Sequence, residues 1–304
     1  MQTSNKPLVS LCIPTNGIIE WVCPVLDSIF RQNINSEKYE VVVTDNGNNL
    51  DFEKIMSVYC EKHDNLVYKK TNAYMFQNQI EAFRLAKGDF IKFVNHRMTL
   101  NDGALKHIID FVEINKDKRP VVYFLNGALP TKEPIVKCDS FEKFVENLSY
   151  WSSWSAGLAI WTDDFKKIPE SQEFNLYFPH ITVLFYERKR SEYIIDNIPL
   201  MKEVNIATNK KGKYNLFKVF AVEYVSIIGD LMRNEDISVR TFLKLKKAIL
   251  RFVSDLYWDF VIRKKECSYI LDDNRDYIRV YYNLRMVYRN IIESFFIKVK
   301  SKFF

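Results

Sequence analysis

Short apolar runs alternate with longer amphipathic stretches over the first hundred residues. Each run is long enough for a buried strand and stops at proline or at a turn-prone polar group, while the stretches between them repeat apolar residues at helical spacing. The predicted strands are 9–14, 39–44, 66–69 and 88–94, and the predicted helices are 18–32, 51–63 and 76–87. Because strands and helices alternate in this way in parallel sheets, the pattern predicts an α/β domain with a mostly parallel sheet.

The pattern changes in the C-terminal third of the chain. A helix at 101–115 and a strand at 120–125 continue the alternation, and residues 151–187 are mixed and rich in aromatic groups. From about Asn215 onward the apolar residues follow helical spacing almost throughout. We therefore predict an α/β domain at 1–205 and a basic, aromatic-rich helical domain at 206–304.

The charge of the chain also differs between these two parts. Residues 1–209 carry 24 lysines and arginines against 27 acids, and residues 210–304 carry 20 against 11, so the overall +6 divides into −3 and +9. Basic helices rich in aromatic groups can lie on anionic lipid, so a membrane surface is one expected partner. The alternatives are an ordinary helical bundle with a solvated basic face and an oligomer interface. Nucleic acid is not expected, because no recognised binding motif accompanies the charge.

The sequence predicts a cytoplasmic protein, with peripheral contact to the inner face of the plasma membrane as an extension of that prediction. No apolar run approaches the ~18 residues that cross a bilayer, and residues 1–7 are polar where a signal peptide would be apolar. The five cysteines are scattered without metal-ligand spacing, which favours reduced thiols over zinc or disulfides.

Polar residues follow three of the predicted strands. Thr15-Asn16, Asp45-Asn46 and Asn95-His96-Arg97 stand where the strands end. Ligand sites of parallel α/β sheets lie beyond the carboxyl ends of the strands, so we expect these residues to line one site.

Four segments in this region resemble family-two glycosyltransferases of the GT-A fold. They are Pro7-Leu-Val-Ser-Leu-Cys-Ile-Pro-Thr15, Tyr39-Glu-Val-Val-Val-Thr-Asp-Asn46, Asn78, and Ala86-Lys-Gly-Asp-Phe-Ile-Lys-Phe93. The bacterial abequosyltransferase-like group, which builds surface polysaccharides, is the most similar. The resemblance covers 7–100, thins toward about 200 and is absent beyond.

The resemblance implies a GT-A-like, Rossmann-type, mostly parallel sheet and an inverting nucleotide-sugar glycosyltransferase. The acceptor would be a bacterial surface glycan of the capsule, lipopolysaccharide or teichoic-acid type, free or lipid-linked. We expect donor contacts by seven residues, Pro14, Thr15, Asn16, Asp45, Asn78, Asn95 and His96, of which the resemblance implies those of Thr15, Asp45 and Asn78. Three of them have a structural alternative: Asp45 as an Asx-turn residue, Thr15 as a helix N-cap, and Asn78 as a surface amide.

The metal-binding acids of that family are missing. Where the family has an acidic triad or Asp-x-Asp, this chain has Asn95-His96-Arg97-Met98, a poor set for magnesium. We therefore expect no metal cofactor, with the nucleotide sugar as substrate and Arg97 and His96 stabilising the leaving diphosphate. The alternatives are a catalytically inactive scaffold in a glycan-assembly complex and a metal site built from Asp89 or Asp102.

An inverting transfer also needs a base near the acceptor hydroxyl. The family supplies an acid in the segment that here reads Phe174-Asn-Leu-Tyr-Phe-Pro-His180, so His180 is the candidate base, with a core or helix-cap histidine as the alternative. Asp163 and Asp164 are rival bases. The tryptophans at 151, 154 and 161 are expected to pack in the core or to stack on sugar rings.

Overall fold

The computed structural model describes residues 6–204 and 212–303. These form two compact units: residues 6–144 with 154–204, and residues 145–153 with the described residues from 212 onward. The domain boundary predicted at 205/206 touches residues outside the described ranges and stays a prediction.

The first unit contains ten strands and most of seven helices among its described residues. In chain order the strands are β1 (Val9–Thr15), β2 (Tyr39–Asp45), β3 (Leu66–Lys70), β4 (Phe90–Phe93), β5 (Met98–Leu100), β6 (Val121–Phe124), β7 (Ile135–Cys138), β8 (Ala159–Trp161), β9 (Tyr193–Asp196) and β10 (Met201–Glu203). The helices are α1 (Ile19–Phe30), α2 (Leu50–Lys62), α3 (Asn78–Leu85), α4 (Ala104–Asn115), α5 (Phe141–Leu148), α6 (Thr162–Phe165) and α7 (Pro179–Tyr186).

The main sheet has five strands in the order β3-β2-β1-β4-β8, and the first four of these are parallel. The helices α1, α2 and α3 lie in the connections between consecutive parallel strands. Nearly every residue of β1 and β2 is buried, as expected where helices cover both faces of a parallel sheet. The predicted α/β fold with a mostly parallel sheet is confirmed.

The fifth strand, β8, runs against the others. It pairs with β4 so that Trp161 lies opposite Phe90, the first residue of β4. Residues that follow β8 therefore lie at the end of the sheet where the parallel strands begin. Trp161 is 2% exposed and donates from its indole nitrogen to the carbonyl of Pro120 at 3.0 Å, so it is a core residue.

Two smaller sheets complete the first unit. In one, β5 pairs antiparallel with β10; in the other, β9 lies between parallel β6 and antiparallel β7. Of these five strands the sequence pattern predicted only β6.

The second unit is helical in its described residues, with α8 (Tyr224–Arg233), α9 (Val239–Leu256), α10 (Asn274–Tyr281) and α11 (Leu284–Phe303). Its core includes Tyr224 and Val253, and the hydroxyls of Ser152 and Tyr224 lie 2.7 Å apart. Residues 145–153 thus belong with these helices, which the sequence did not predict. Among the described residues, no helix has the length and apolar character to cross a bilayer.

Candidate functional site

The carboxyl ends of β1 to β4, at Thr15, Asp45, Lys70 and Phe93, form what we call the carboxyl edge of the sheet. The opposite side, where these strands begin, is the amino edge. At the carboxyl edge the loops after β1 and β2 touch: a Cβ on Gly47 would lie 2.0 Å from the carbonyl oxygen of Asn16. Only glycine permits that approach. Asn16 is exposed and Pro14 is half-buried at this rim.

Asp45 ends β2 with no exposed surface. One carboxylate oxygen accepts from the backbone N–H of Gly47 at 2.7 Å, which is the Asx-turn bond considered from the sequence. The other accepts from the Tyr68 hydroxyl and the Lys70 ammonium, each at 3.0 Å. The contact of Asp45 with a donor base or ribose stays a prediction.

Asn78 is 2% exposed, so it is not a surface amide. Its side-chain nitrogen donates to the carbonyls of Thr15 at 3.0 Å and Thr44 at 2.9 Å, and its oxygen accepts from the Thr71 hydroxyl at 2.8 Å. One amide therefore joins the ends of β1 and β2 and the residue after β3. The predicted diphosphate contact is untested; the contacts of Asn78 in this structure are structural.

The turn after β4 contains the residues that replace the family's acids. Asn95 is half-buried, and its side-chain oxygen accepts from the backbone N–H of Arg97 at 3.2 Å. The His96 Nδ1 lies 2.9 Å from the Thr15 hydroxyl, and its ring meets Trp21 edge-on at 5.1 Å. Burial, together with the nearby Arg97 guanidinium, lowers the pKa of His96 to about 3. His96 is therefore neutral at physiological pH and can donate one hydrogen bond but no charge.

Thr15 is the centre of this arrangement. Its hydroxyl accepts from the backbone N–H of Gly17 at 3.1 Å as well as contacting His96. The N-cap position of α1 is Ile18, so the alternative of Thr15 as a helix N-cap is wrong. The hydroxyl instead connects the loop after β1 to the turn after β4.

Arg97 supplies a permanent positive charge at the carboxyl edge. Its side chain is 27% exposed and lies over the Trp21 ring, with 5.9 Å between the guanidinium carbon and the ring centroid. Its Nε is 3.9 Å from a carboxylate oxygen of Glu203 on β10, a long ion-pair distance. Packing against tryptophan limits the motion of the guanidinium without occupying its donors, which suits an anion ligand.

The turn is a poor fit for magnesium or calcium. It provides an amide, a neutral imidazole and a guanidinium, whereas magnesium and calcium take carboxylate and other oxygen ligands. Within residues 6–204 and 212–303, no three His, Cys, Asp or Glu side chains come together as a metal-holding group. The expectation that no metal cofactor takes part remains untested.

Two other charged residues considered from the sequence, Asp89 and Lys87, lie at the amino edge, and a third, Lys92, is buried. Asp89 precedes β4 at the amino edge and pairs with Lys6 at 2.5 Å. Lys87 is exposed at the same edge. Lys92 is 1% exposed and donates to the carbonyls of Phe93 at 2.7 Å and Ala156 at 2.5 Å. Burial lowers the pKa of Lys92 to about 7, so it is no substitute for Arg97.

Asp163 and Asp164 follow the antiparallel β8 and therefore lie at the amino edge. Asp163 pairs with Arg119 at 2.8 Å, and buried Asp164 pairs with Arg190 at 2.7 Å. As rival bases for a reaction at the carboxyl edge they are wrong, because the sheet separates them from it.

His180 lies in the first turn of α7, and this helix begins near the carboxyl edge. Gln77, just before α3, donates to the carbonyl of Asn175 at 3.0 Å, and the backbone N–H of Asn175 donates to the Thr182 hydroxyl at 3.1 Å. At its other end α7 reaches Glu187, whose neighbours include Asp164 of the amino edge. His180 is 2% exposed, with its ring 6.0 Å from Phe178. This burial is typical of a core residue; its role as base stays a prediction.

Two further residues at this edge, Tyr68 and Lys70, were not predicted from the sequence. Both lie on β3 two positions apart, so they share one face, and both bond the carboxylate of Asp45. Hydrogen bonding to Asp45 and Glu53 outweighs burial and raises the pKa of Lys70. The sequence did contain a signal for them. Tyr68 and Lys70 alternate along the predicted strand 66–69 and its next residue, and the carboxyl end of this strand lies beside that of β2 in a parallel sheet.

Residues 10–122 match the model for glycosyl transferase family 2. Among solved structures, TarS 1–349 of S. aureus matches with 17% identity and a TM-score of 0.56, covering 85% of this chain and 75% of that one. The same fragment in complex with UDP-GlcNAc matches with 16% identity and a TM-score of 0.53, covering 83% of this chain and 73% of that one. The longer TarS structure matches at 16% and 0.51, over 83% of this chain and 44% of that chain. No curated protein matches.

These similarities support a GT-A glycosyltransferase fold of family two, and the predicted GT-A-like fold class is confirmed. The TarS 1–349 match covers 85% of this chain, whereas only about two-thirds of the chain precedes residue 205. The similarity in fold therefore extends into the C-terminal helices, beyond the end of the sequence resemblance. The narrower resemblance to abequosyltransferase-like enzymes stays a prediction.

Proposed function

We propose that this protein is an inverting, metal-independent glycosyltransferase that moves a sugar from a nucleoside diphosphate to a bacterial surface glycan. The family match covers the strands of the carboxyl edge, and a TarS structure of similar fold holds UDP-GlcNAc. The observation that carries the proposal is the position of Arg97, a partly exposed guanidinium at the edge where α/β sheets bind ligands.

Arg97 stabilises the leaving group in this proposal. The acceptor hydroxyl oxygen bonds to the anomeric carbon while the bond from that carbon to the β-phosphate oxygen breaks. The electron pair goes to the phosphate, where negative charge develops. A guanidinium meets two phosphate oxygens at once, and the neutral His96 donates a further hydrogen bond. The contact between Thr15 and His96 then fixes the turn that presents both groups.

His180 takes the proton of the acceptor hydroxyl. Its position at the start of α7, beside the segment bonded to Gln77, supports this role. Because the ring is 2% exposed, the acceptor has to enter a recess to reach it. Attack from the face opposite the leaving diphosphate inverts the anomeric centre.

The first experiment is a thermal-shift screen against a panel of sugar nucleotides, starting with UDP-GlcNAc. A ligand of the folded state at a hundredfold excess over its Kd stabilises by about 2.7 kcal/mol. A positive result is followed by donor hydrolysis in excess chelator. Hydrolysis that persists supports the transferase. Binding without any hydrolysis or transfer supports the inactive scaffold instead, and hydrolysis that stops in chelator removes metal independence.

A further inference from the structure

The helix α11 exposes an apolar surface. Val287 is fully buried, and Asn290 donates to the Ser254 hydroxyl of α9 at 3.4 Å, so this side of α11 packs on the second unit. Ile292, Phe295 and Phe296 are 55%, 60% and 61% exposed. An amphipathic helix normally buries its apolar face, and a contiguous exposed one marks an interaction site.

The exposed residues share one face. Tyr288, Ile292, Phe295 and Phe296 stand at i, i+4, i+7 and i+8, and all are at least 42% exposed. The sequence continues this spacing with apolar residues at i+11 and i+15. We call Tyr288, Ile292, Phe295 and Phe296 the α11 stripe. In the first unit, by contrast, the exposed large apolar residues are scattered: Leu50, Val58, Tyr74, Ile114 and Leu176.

The charge around the stripe is positive. Residues 284–304 contain five lysines and arginines and one acid, Glu293, which pairs with Arg289 at 2.7 Å. The sequence after Glu293 adds three lysines at alternate positions and no acidic side chain. Two copies of this helix placed face to face would bring their cations together, whereas an anionic surface would neutralise them.

We propose that α11 binds the surface of an anionic lipid bilayer, with its stripe among the headgroups and upper acyl chains and its cations against lipid phosphates. Helices of this kind lie in the interface rather than crossing it. This interaction does not depend on the proposed reaction.

The test is sedimentation of the full chain with phosphatidylglycerol vesicles and with neutral phosphatidylcholine vesicles. We expect stronger binding to the anionic vesicles than to the neutral ones. Binding should weaken at high salt, because the Debye length shortens to about 3 Å at 1 M and charges farther apart are screened. Phe295→Glu with Phe296→Glu should lower the partition coefficient by roughly a hundredfold or more, since two large apolar side chains lose their burial. The matched control is Val58→Glu with Ile114→Glu, which adds the same charge at exposed positions of the first unit.

Equal binding to both kinds of vesicle, or none to either, overturns the proposal for the native chain without any variant. A self-associated chain that becomes monomeric only in the Phe295→Glu, Phe296→Glu variant, as measured by light scattering, would identify a second copy as the occupant and also overturns it. An equal loss of vesicle binding in the control pair would assign the effect to charge alone and not to the stripe.

Discussion

The two edges of the main sheet are both polar, yet they are built differently. At the amino edge the acids Asp89, Asp163 and Asp164 each pair with a lysine or arginine. At the carboxyl edge β2 and β3 end in the Asp45–Lys70 ion pair, and the turn after β4 adds the neutral His96 imidazole and Arg97, whose ion pair with Glu203 is long. The acids Asp89, Asp163 and Asp164 are therefore neutralised by cations, whereas Arg97 at the carboxyl edge remains able to bind an anion. The difference indicates which edge binds a ligand.

Replacing Arg97 at the carboxyl edge should have the largest effect. Arg97→Ala should lower the transfer rate by roughly 10²–10³, the effect of removing one preorganised donor, in buffer containing excess chelator. Arg97→Lys should recover part of the loss, because an ammonium cannot reproduce the bidentate geometry. Arg119→Ala at the amino edge is the matched control and should retain the rate. Full activity in Arg97→Ala would remove this residue from the mechanism.

Asparagines at the two edges allow a comparison of stability. Asn78→Ala should lower the free energy of unfolding by about 3 kcal/mol, because three hydrogen bonds of this buried side chain are lost, two to the carbonyls of Thr15 and Thr44 and one from the Thr71 hydroxyl. At the amino edge the half-buried side chain of Asn65 donates to the carbonyl of Tyr39 at 3.1 Å. Asn65→Ala should cost about 1 kcal/mol. Urea unfolding measures both, and equal losses would contradict the joining role of Asn78.

Asp45→Asn tests whether the predicted donor contact exists. If the carboxylate binds the donor, affinity measured by calorimetry should weaken by about 1.5–3 kcal/mol, the range for hydrogen bonds to charged groups. Asp163→Asn at the amino edge should leave it unchanged. If the affinity for the donor is unchanged in Asp45→Asn, Asp45 does not bind the donor. Its role would then be structural, through its hydrogen bonds to Tyr68 and Lys70.

A pair of opposite pH dependences is also expected. The lowered pKa of His96 means that only the unfolded chain takes up this proton between about pH 3 and 6.5, so stability from His96 is lost as pH falls through that window. Burial, then the nearby Asp164, raises the pKa of Glu187 to about 7, so stability from Glu187 is lost as pH rises from about 4.5 to 7.

The two variants should therefore change the Tm profile in opposite directions. In His96→Gln the Tm should fall less at acid pH than it does in the unaltered protein. In Glu187→Gln the Tm should fall less between pH 5 and pH 8 than it does in the unaltered protein. Thermal unfolding in buffers from pH 4 to 8 measures both effects. Profiles that move together in the two variants would contradict the proposed protonation states.

The sequence predicted β1 to β4 and the helices between them because parallel strands covered on both faces are continuous apolar runs. It missed β5, β7, β9 and β10, which have three or four residues; β5 pairs with β10 across about a hundred positions of the chain. Over three or four residues the alternation of apolar and polar positions is too short to identify a strand. The partner of such a strand can lie far away in the sequence, so neighbouring residues do not reveal it.

For the site, the rule that carboxyl ends meet was sufficient to place Thr15 and His96 together, and their contact at 2.9 Å follows from it. Which partners a side chain selects was not predictable. Asn78 faces inward to carbonyls, and Asp45 is already bonded by Tyr68 and Lys70, because tertiary packing decides these directions. The orientation of β8 also required the structure, and it removed Asp163 and Asp164 from the site.

Lys70 has a further consequence through its position on β3, an outermost strand of the main sheet. An outer strand offers unpaired backbone groups to any other chain in an extended conformation, and lysine side chains discourage that association. Lys69 and Lys70 are both exposed there, at the end of the strand. The residue that neutralises Asp45 therefore also protects the sheet from adding a foreign strand, and Lys70→Val would be expected to increase aggregation during refolding even where the native fold is retained.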